Sequence, residues 1–144
     1  MGISRHATAH WEGDLKTGSG RLATPQSGLM ADTPYAFNSR FGDVKGTNPE
    51  ELIAAAHAGC FTMALSFGLN NAGFTADAID TEAQLTLDQV SGGFAITAIH
   101  LTTRARVPNI DAAKFNELAA SAKANCPVSK VLNATITMDA KLEA

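Results

Sequence analysis

Charge is sparse in this sequence, and one part of it has none. Asp, Glu, Lys and Arg make up 17% of the 144 residues, and none of the four occurs anywhere from residue 52 to residue 76. Cysteine is scarcer still. The only two, Cys60 and Cys126, are too far apart for a CxxC redox pair or for zinc-ligand spacing. Two such thiols in a reducing compartment are free, metal-bound, or catalytic and reversibly paired. No basic patch offsets the net charge of −3, which argues against a nucleic-acid or anionic-membrane partner. The opening MGISRHATAHWEGD has no apolar core of signal-peptide type, so the expected location is cytoplasmic. No internal repeat or low-complexity segment occurs.

Apolar residues are plentiful, at 45%, and the length suits a single domain over 1–144 with a sizeable core. The chain is organised around residues 47–73, TNPEELIAAAHAGCFTMALSFGLNNAG. Asn48 can cap a helix, Pro49 suits its first position, and Glu51 stands three residues past the cap. Gly73 is a left-handed stop. Residues 52–69 reach the minimum length of a membrane span. Against a span stand His57, the alanines, the polar cap, Asn70 and Asn71, and the lack of flanking Lys/Arg clusters. A buried helix is the better reading, and with no charged face it must be covered on nearly every side.

Around this helix the periodicities predict strands over 3–12 and 21–24. A third strand is expected where Tyr35, Phe37 and Ser39 alternate with Ala36, Asn38 and Arg40. Long strands over 75–90 and 94–107 flank a Ser91-Gly92-Gly93 turn. A second helix over 111–124 starts at Asp111, with Phe115, Leu118, Ala119 and Ala122 inward. Residues 126–130 read as a turn or a short helix start, and 134–142 as a last strand. The expected class is α+β, with antiparallel sheets and two main helices, one of them long, central and apolar.

The chemistry-bearing positions each have a bland reading. Cys60 shares a helix face with Ile53, Ala56, Met63, Ala64 and Phe67, as a buried core thiol would. It lies too far from the helix start for the dipole to help, so a reactive thiolate needs a cation from elsewhere: Arg40, Arg104 or Arg106. His57, one turn away, makes a Cys–His pair geometrically possible, but no orienting group or oxyanion hole is legible. A histidine satisfied at the helix surface or at an interface is the simpler account. Glu51 serves the cap. Glu50 is left to orient an arginine, and it stands roughly 15 Å along the helix from Cys60. Cys126 reaches Cys60 only if the two helices pack side by side. Three functional classes stay open: a thiol enzyme, a non-catalytic structural dimer or small-ligand-binding module, and a metal site from Cys60, Cys126 and His57.

TNPEEL at 47–52, AAAHAGCFTMALSFGL at 54–69, ANCPVSKVL at 124–132 and FNSRF at 37–41 resemble the OsmC/Ohr family, nearer its OsmC branch. The resemblance covers essentially the whole chain. It implies an intertwined homodimer and a thiol peroxidase of oxidative and osmotic stress defence, reducing organic hydroperoxides and, more weakly, hydrogen peroxide. Carried over by residue, Cys60 is the peroxidatic thiol, Cys126 the resolving thiol that pairs with it, Glu50 the carboxylate and Arg40 the arginine, with Arg21 the fallback. The resemblance further implies an external dithiol reductant of the dihydrolipoyl kind, with no cofactor and no metal. On that reading Phe41, Phe61, Met63 and Phe67 line the substrate site, and Glu50 of one chain serves Cys60 of another.

Overall fold

The computed structural model describes residues 2–143, and the chain folds as two compact units, Met1–Leu52 and Ile53–Ala144. In the first, β1 (Thr8–Glu12), β2 (Ser19–Ala23) and β3 (Thr33–Tyr35) form an antiparallel sheet in that order. Gly20 sits opposite both Trp11 and Tyr35, whose rings meet edge to face at 5.6 Å. A Cβ there would lie 2.5 Å from the Tyr35 ring and 2.6 Å from the Trp11 ring, so the aromatic pair requires glycine. The alternation expected through Ser39 stops at Tyr35, because Phe37–Phe41 is a short helix, α1. The Ser39 hydroxyl accepts from the Ala36 N–H at 2.9 Å and lies 3.0 Å from the Thr47 carbonyl. These bonds close a turn that period-2 alternation over six residues cannot outweigh.

The long helix α2 (Pro49–Asn71) begins as the sequence predicts. Asn48 Oδ1 accepts from the Glu51 N–H at 2.7 Å, a cap worth about 1 kcal/mol. The Glu51 carboxylate takes the Thr47 hydroxyl at 3.0 Å instead of closing a capping box. At the far end Gly73 (φ +93°) is left-handed, and the Phe74 N–H returns to the Leu69 carbonyl.

In the second unit, β4 (Ala78–Val90) and β5 (Gly93–Arg106) make a long hairpin, and β6 (Thr135–Glu143) adds on the other side of β5. The β5–β6 pair is parallel, where antiparallel pairing was expected. The reason is the connection: α3 (Ala112–Asn125) and α4 (Pro127–Val131) intervene, and such a helical crossover returns the chain in its starting direction. Asp111 caps α3 through the Lys114 N–H at 2.7 Å. Phe61, Leu65 and Leu69 of α2, Ile99, Leu101 and Ala105 of β5, and Phe115 and Ala119 of α3 form the core, together with Cys126. Burying each large member is worth about 1.5–3 kcal/mol. The one polar break in the β5 stripe, Thr103, bonds to Thr81 at 3.0 Å, and Thr81 to Thr62 of α2 at 2.8 Å.

The buried stripe of α2 is His57, Phe61, Leu65 and Leu69, not the Ile53–Cys60–Phe67 face expected from sequence. Apolar residues run all the way round this helix, so periodicity could not choose between its faces. Met63 and Phe67, on another face of the same helix, stand 76% and 68% exposed. By length and composition α2 could cross a membrane, yet its His57–Leu69 stripe is packed into the core.

Candidate active site

Each unit carries one half of the predicted constellation. In Met1–Leu52, Arg40 lies in the last turn of α1 and Glu50 in the first turn of α2. Their side chains meet through two parallel bonds, Nε–Oε1 and Nη2–Oε2, both 2.9 Å. This fork geometry orients a guanidinium while leaving its remaining N–H donors available. The Glu50 bond, opposed by partial burial, raises the Arg40 pKa above its already high ordinary value. Arg40 Cζ also lies 5.1 Å from the Phe41 ring centroid, and both residues line a cavity of about 270 Å³ with Trp11 and Tyr35. Arg21 stands exposed on β2, across from His10 and Pro34, with no carboxylate bound to it among the described residues.

In Ile53–Ala144, Cys60 lies half-buried in mid-helix and Cys126 is fully buried between α3 and α4, both as free thiols. Local sequence places Cys126 precisely enough to explain its surroundings. Pro127 disfavours helical geometry at the residue before it, which ends α3, and Pro suits the first position of α4. Cys126 (φ −58°, ψ 132°) therefore becomes the N-cap of α4, and its sulfur does what a capping oxygen does. It accepts from the Ser129 N–H at 3.4 Å and the Ser129 hydroxyl at 3.5 Å.

The Cys60 and Cys126 thiols lie close enough to act on one another's ionisation. Burial pushes the Cys60 thiol up, and so does the Cys126 thiol beside it, against a smaller pull from the Val128 N–H. Burial pushes Cys126 up as well, but Cys60, Ser129 and Val128 together outweigh it, and the net direction is down. None of the groups acting on Cys60 is positively charged. Arg104 and Arg106, named above as possible cations, lie on the exposed face of β5, opposite the Leu101–Thr103–Ala105 face that meets the core.

Cys60 opens on a groove of about 630 Å³ between α2 and α3, with Met63, Phe67 and Leu118 on its walls. Phe61, expected to line the substrate site, is fully buried in the core instead, because it faces the sheet on the His57 stripe. His57 is also fully buried, not at the helix surface, and its Nε2 lies 2.7 Å from Ser129 Oγ. Sequence reasoning missed Ser129. The available signal was the C-P-V-S spacing, which puts Ser129 three residues past a cap. Among the described residues no group of three His, Cys, Asp or Glu side chains is arranged to hold a metal ion.

An α+β fold that brings two distant free cysteines next to each other defines a dithiol protein. The chain belongs to the OsmC family: the OsmC-like protein profile matches residues 42–141. It is 54% identical to Peroxiredoxin OsmC of Escherichia coli over 144 residues, the whole of both chains. It is 35% identical to the organic hydroperoxide resistance protein OhrB of Bacillus subtilis, over 83% of this chain and 85% of that one. The crystal structure of OhrB superposes with a TM-score of 0.66 at 27% identity, covering 96% of this chain and 98% of that one. An OsmC-like protein of Vibrio cholerae shares the fold, with a TM-score of 0.77 at 12% identity over 96% and 99% of the two chains.

Proposed function

We propose that this protein is a thiol-dependent peroxidase of the peroxiredoxin type, acting in hydroperoxide resistance, with Cys60 as the peroxidatic and Cys126 as the resolving cysteine. The observation that carries the reading is the juxtaposed pair of thiols, Cys60 and Cys126, beside an open apolar groove. The relatives' printed names, Peroxiredoxin OsmC and organic hydroperoxide resistance protein, support the same chemistry. In the working enzyme the Arg40 guanidinium, oriented by Glu50, supplies the charge that Cys60 lacks within its own unit.

The Cys60 thiolate attacks the terminal oxygen of a hydroperoxide. A sulfur–oxygen bond forms, the O–O bond breaks, and the departing alkoxide takes a proton and leaves as alcohol. Cys126 then attacks the Cys60 sulfenic acid, forming the disulfide and releasing water. An external dithiol, with dihydrolipoyl groups the reductant of choice, restores both thiols by exchange, so no resident cofactor is needed. Met63, Phe67 and Leu118 favour alkyl or aryl hydroperoxides over hydrogen peroxide. Free thiols of this kind belong in a reducing cytoplasm.

The test is the mass of the protein after one equivalent of organic hydroperoxide. Loss of two hydrogens within one chain is the expected result. Cys126→Ala gains one oxygen at Cys60 instead, trappable as a sulfenic acid. Failure to lose two hydrogens in the parent chain, with Cys60 still oxidised, counts against the resolving role.

We further propose a homodimer in which a second chain covers the exposed Met63–Phe67 side of α2. Support comes from the size of that uncovered apolar stripe on a helix with no charge after its first turn. Sedimentation across a dilution series should lose dimer and specific activity together. Full activity per chain in a monomer would rule out a shared site.

A further inference from the structure

The mechanism leaves without a role His57 and Ser129, two buried polar groups of the second unit that meet beside Cys126. His57 Nε2 is 2.7 Å from Ser129 Oγ, and the Ser129 hydroxyl in turn lies 3.5 Å from Cys126 Sγ. His57 Nδ1 is buried with no partner. Burial holds the His57 pKa below its ordinary value, so the ring is neutral and carries a single N–H. With the hydrogen on Nδ1, a buried donor would be orphaned and the Ser129 hydrogen drawn toward Nε2, away from sulfur. With it on Nε2, His57 donates to Ser129, Ser129 donates to Cys126, and only a lone pair at Nδ1 is left over. Buried bare acceptors are tolerated better than buried orphan N–H groups, which selects the second arrangement.

We propose that His57, acting through Ser129, is a positioning residue for Cys126: it turns the Ser129 hydroxyl so that its hydrogen, alongside the Ser129 N–H, points at the Cys126 sulfur and holds the thiolate ready to attack oxidised Cys60. The inference rests on the resolving role given to Cys126 above. In that step a Cys126 lone pair forms the S–S bond, and the S–O bond of the Cys60 sulfenic acid breaks with its electrons on oxygen. The leaving hydroxide takes up a proton and departs as water, balancing the proton that Cys126 lost to solvent when it ionised. The titratable group in contact with Cys126 is Cys60. His57 stands one hydrogen bond further off, and the rest of the core cluster around Cys126 is apolar. The downward direction at Cys126, with Ser129 among its causes, agrees with this geometry.

The experiment follows the ultraviolet thiolate absorbance of Cys126 against pH in a Cys60→Ala background. Adding Ser129→Ala should lower the thiolate fraction at a given pH by about tenfold, the scale of one charge-assisted hydrogen bond to a weak acceptor. His57→Leu should do the same. His57→Gln, whose amide still donates to Ser129, should titrate close to the parent, a rescue that a space-filling role would not give. With both cysteines present, Ser129→Ala should form sulfenic acid at the parent rate and the disulfide about tenfold more slowly, in line with the smaller thiolate fraction. An unmoved Cys126 titration in Ser129→Ala, or equal shifts for His57→Leu and His57→Gln, overturns the proposal. A parent chain that forms no disulfide overturns the resolving role, and the titration series tells the two failures apart.

Discussion

Cys60→Ser is expected to abolish hydroperoxide consumption, with turnover of cumene hydroperoxide and a dithiol falling by at least about a thousandfold. Serine keeps the shape of the side chain but is a poor nucleophile toward an O–O bond, and at neutral pH it does not ionise. Cys60 is half-buried and lies off the His57–Phe61–Leu65 stripe that builds the core, so fold and melting temperature should change little. Loss of activity without loss of fold separates an enzyme from a structural dimer or small-ligand-binding module, in which both cysteines are inert packing. Full peroxide consumption in the variant would end the enzyme reading. The same assay reads substrate preference in the parent: kcat/KM should be higher for cumene hydroperoxide than for hydrogen peroxide, because the groove beside Cys60 is walled by Met63, Phe67 and Leu118. Equal values would remove the groove from the account.

Arg40→Ala carries the second large effect. Within its own unit Cys60 is pushed toward the neutral thiol by burial and by the Cys126 thiol beside it. Without a cation it holds little thiolate at neutral pH. An opposite charge at contact distance lowers an acid's pKa by about one to three units. Removing it should therefore cost about ten- to a thousandfold in the rate of Cys60 alkylation at neutral pH, with the lost rate recovered as pH rises. The sign is fixed by the acid: raising its pKa moves the whole rate profile to higher pH without lowering its plateau. Arg40→Lys should recover only part of the effect, because an ammonium cannot make the paired bonds to Glu50. An unchanged profile in Arg40→Ala would move the assignment to Arg21.

Much of the fold was legible because several signals coincided. At the start of α2, Asn48, Pro49 and the charge-free run agree, and the cap forms as expected. The hairpin about Ser91–Gly93 and the inward stripe of α3 follow from turn chemistry and period in the same way. Short alternation misled at FNSRF, where one serine hydroxyl bonding to backbone made a helical turn of an expected strand. The parallel β5–β6 pair was likewise hidden, since strand direction depends on where the α3–α4 crossover returns the chain.

The sequence by itself determined the chemistry available to this protein. Two isolated thiols, a capped helix without charge past its first turn, and the TNPE and CPVSK pieces identify the nucleophile candidates, the carboxylate and the family. It also determined the cap position of Cys126, because Pro127 constrains its neighbours locally. Only tertiary structure decided which face of α2 is core, since a helix that is apolar all round carries no periodic signal. That choice buries Phe61 and His57 while leaving Cys60 beside an open groove. Tertiary structure also decided that Cys60 meets Cys126 and that His57 bonds to Ser129, pairs separated by more than sixty residues in the chain. No local rule relates residues so far apart. Their meeting follows from packing α2 and the α3–α4 segment into one core.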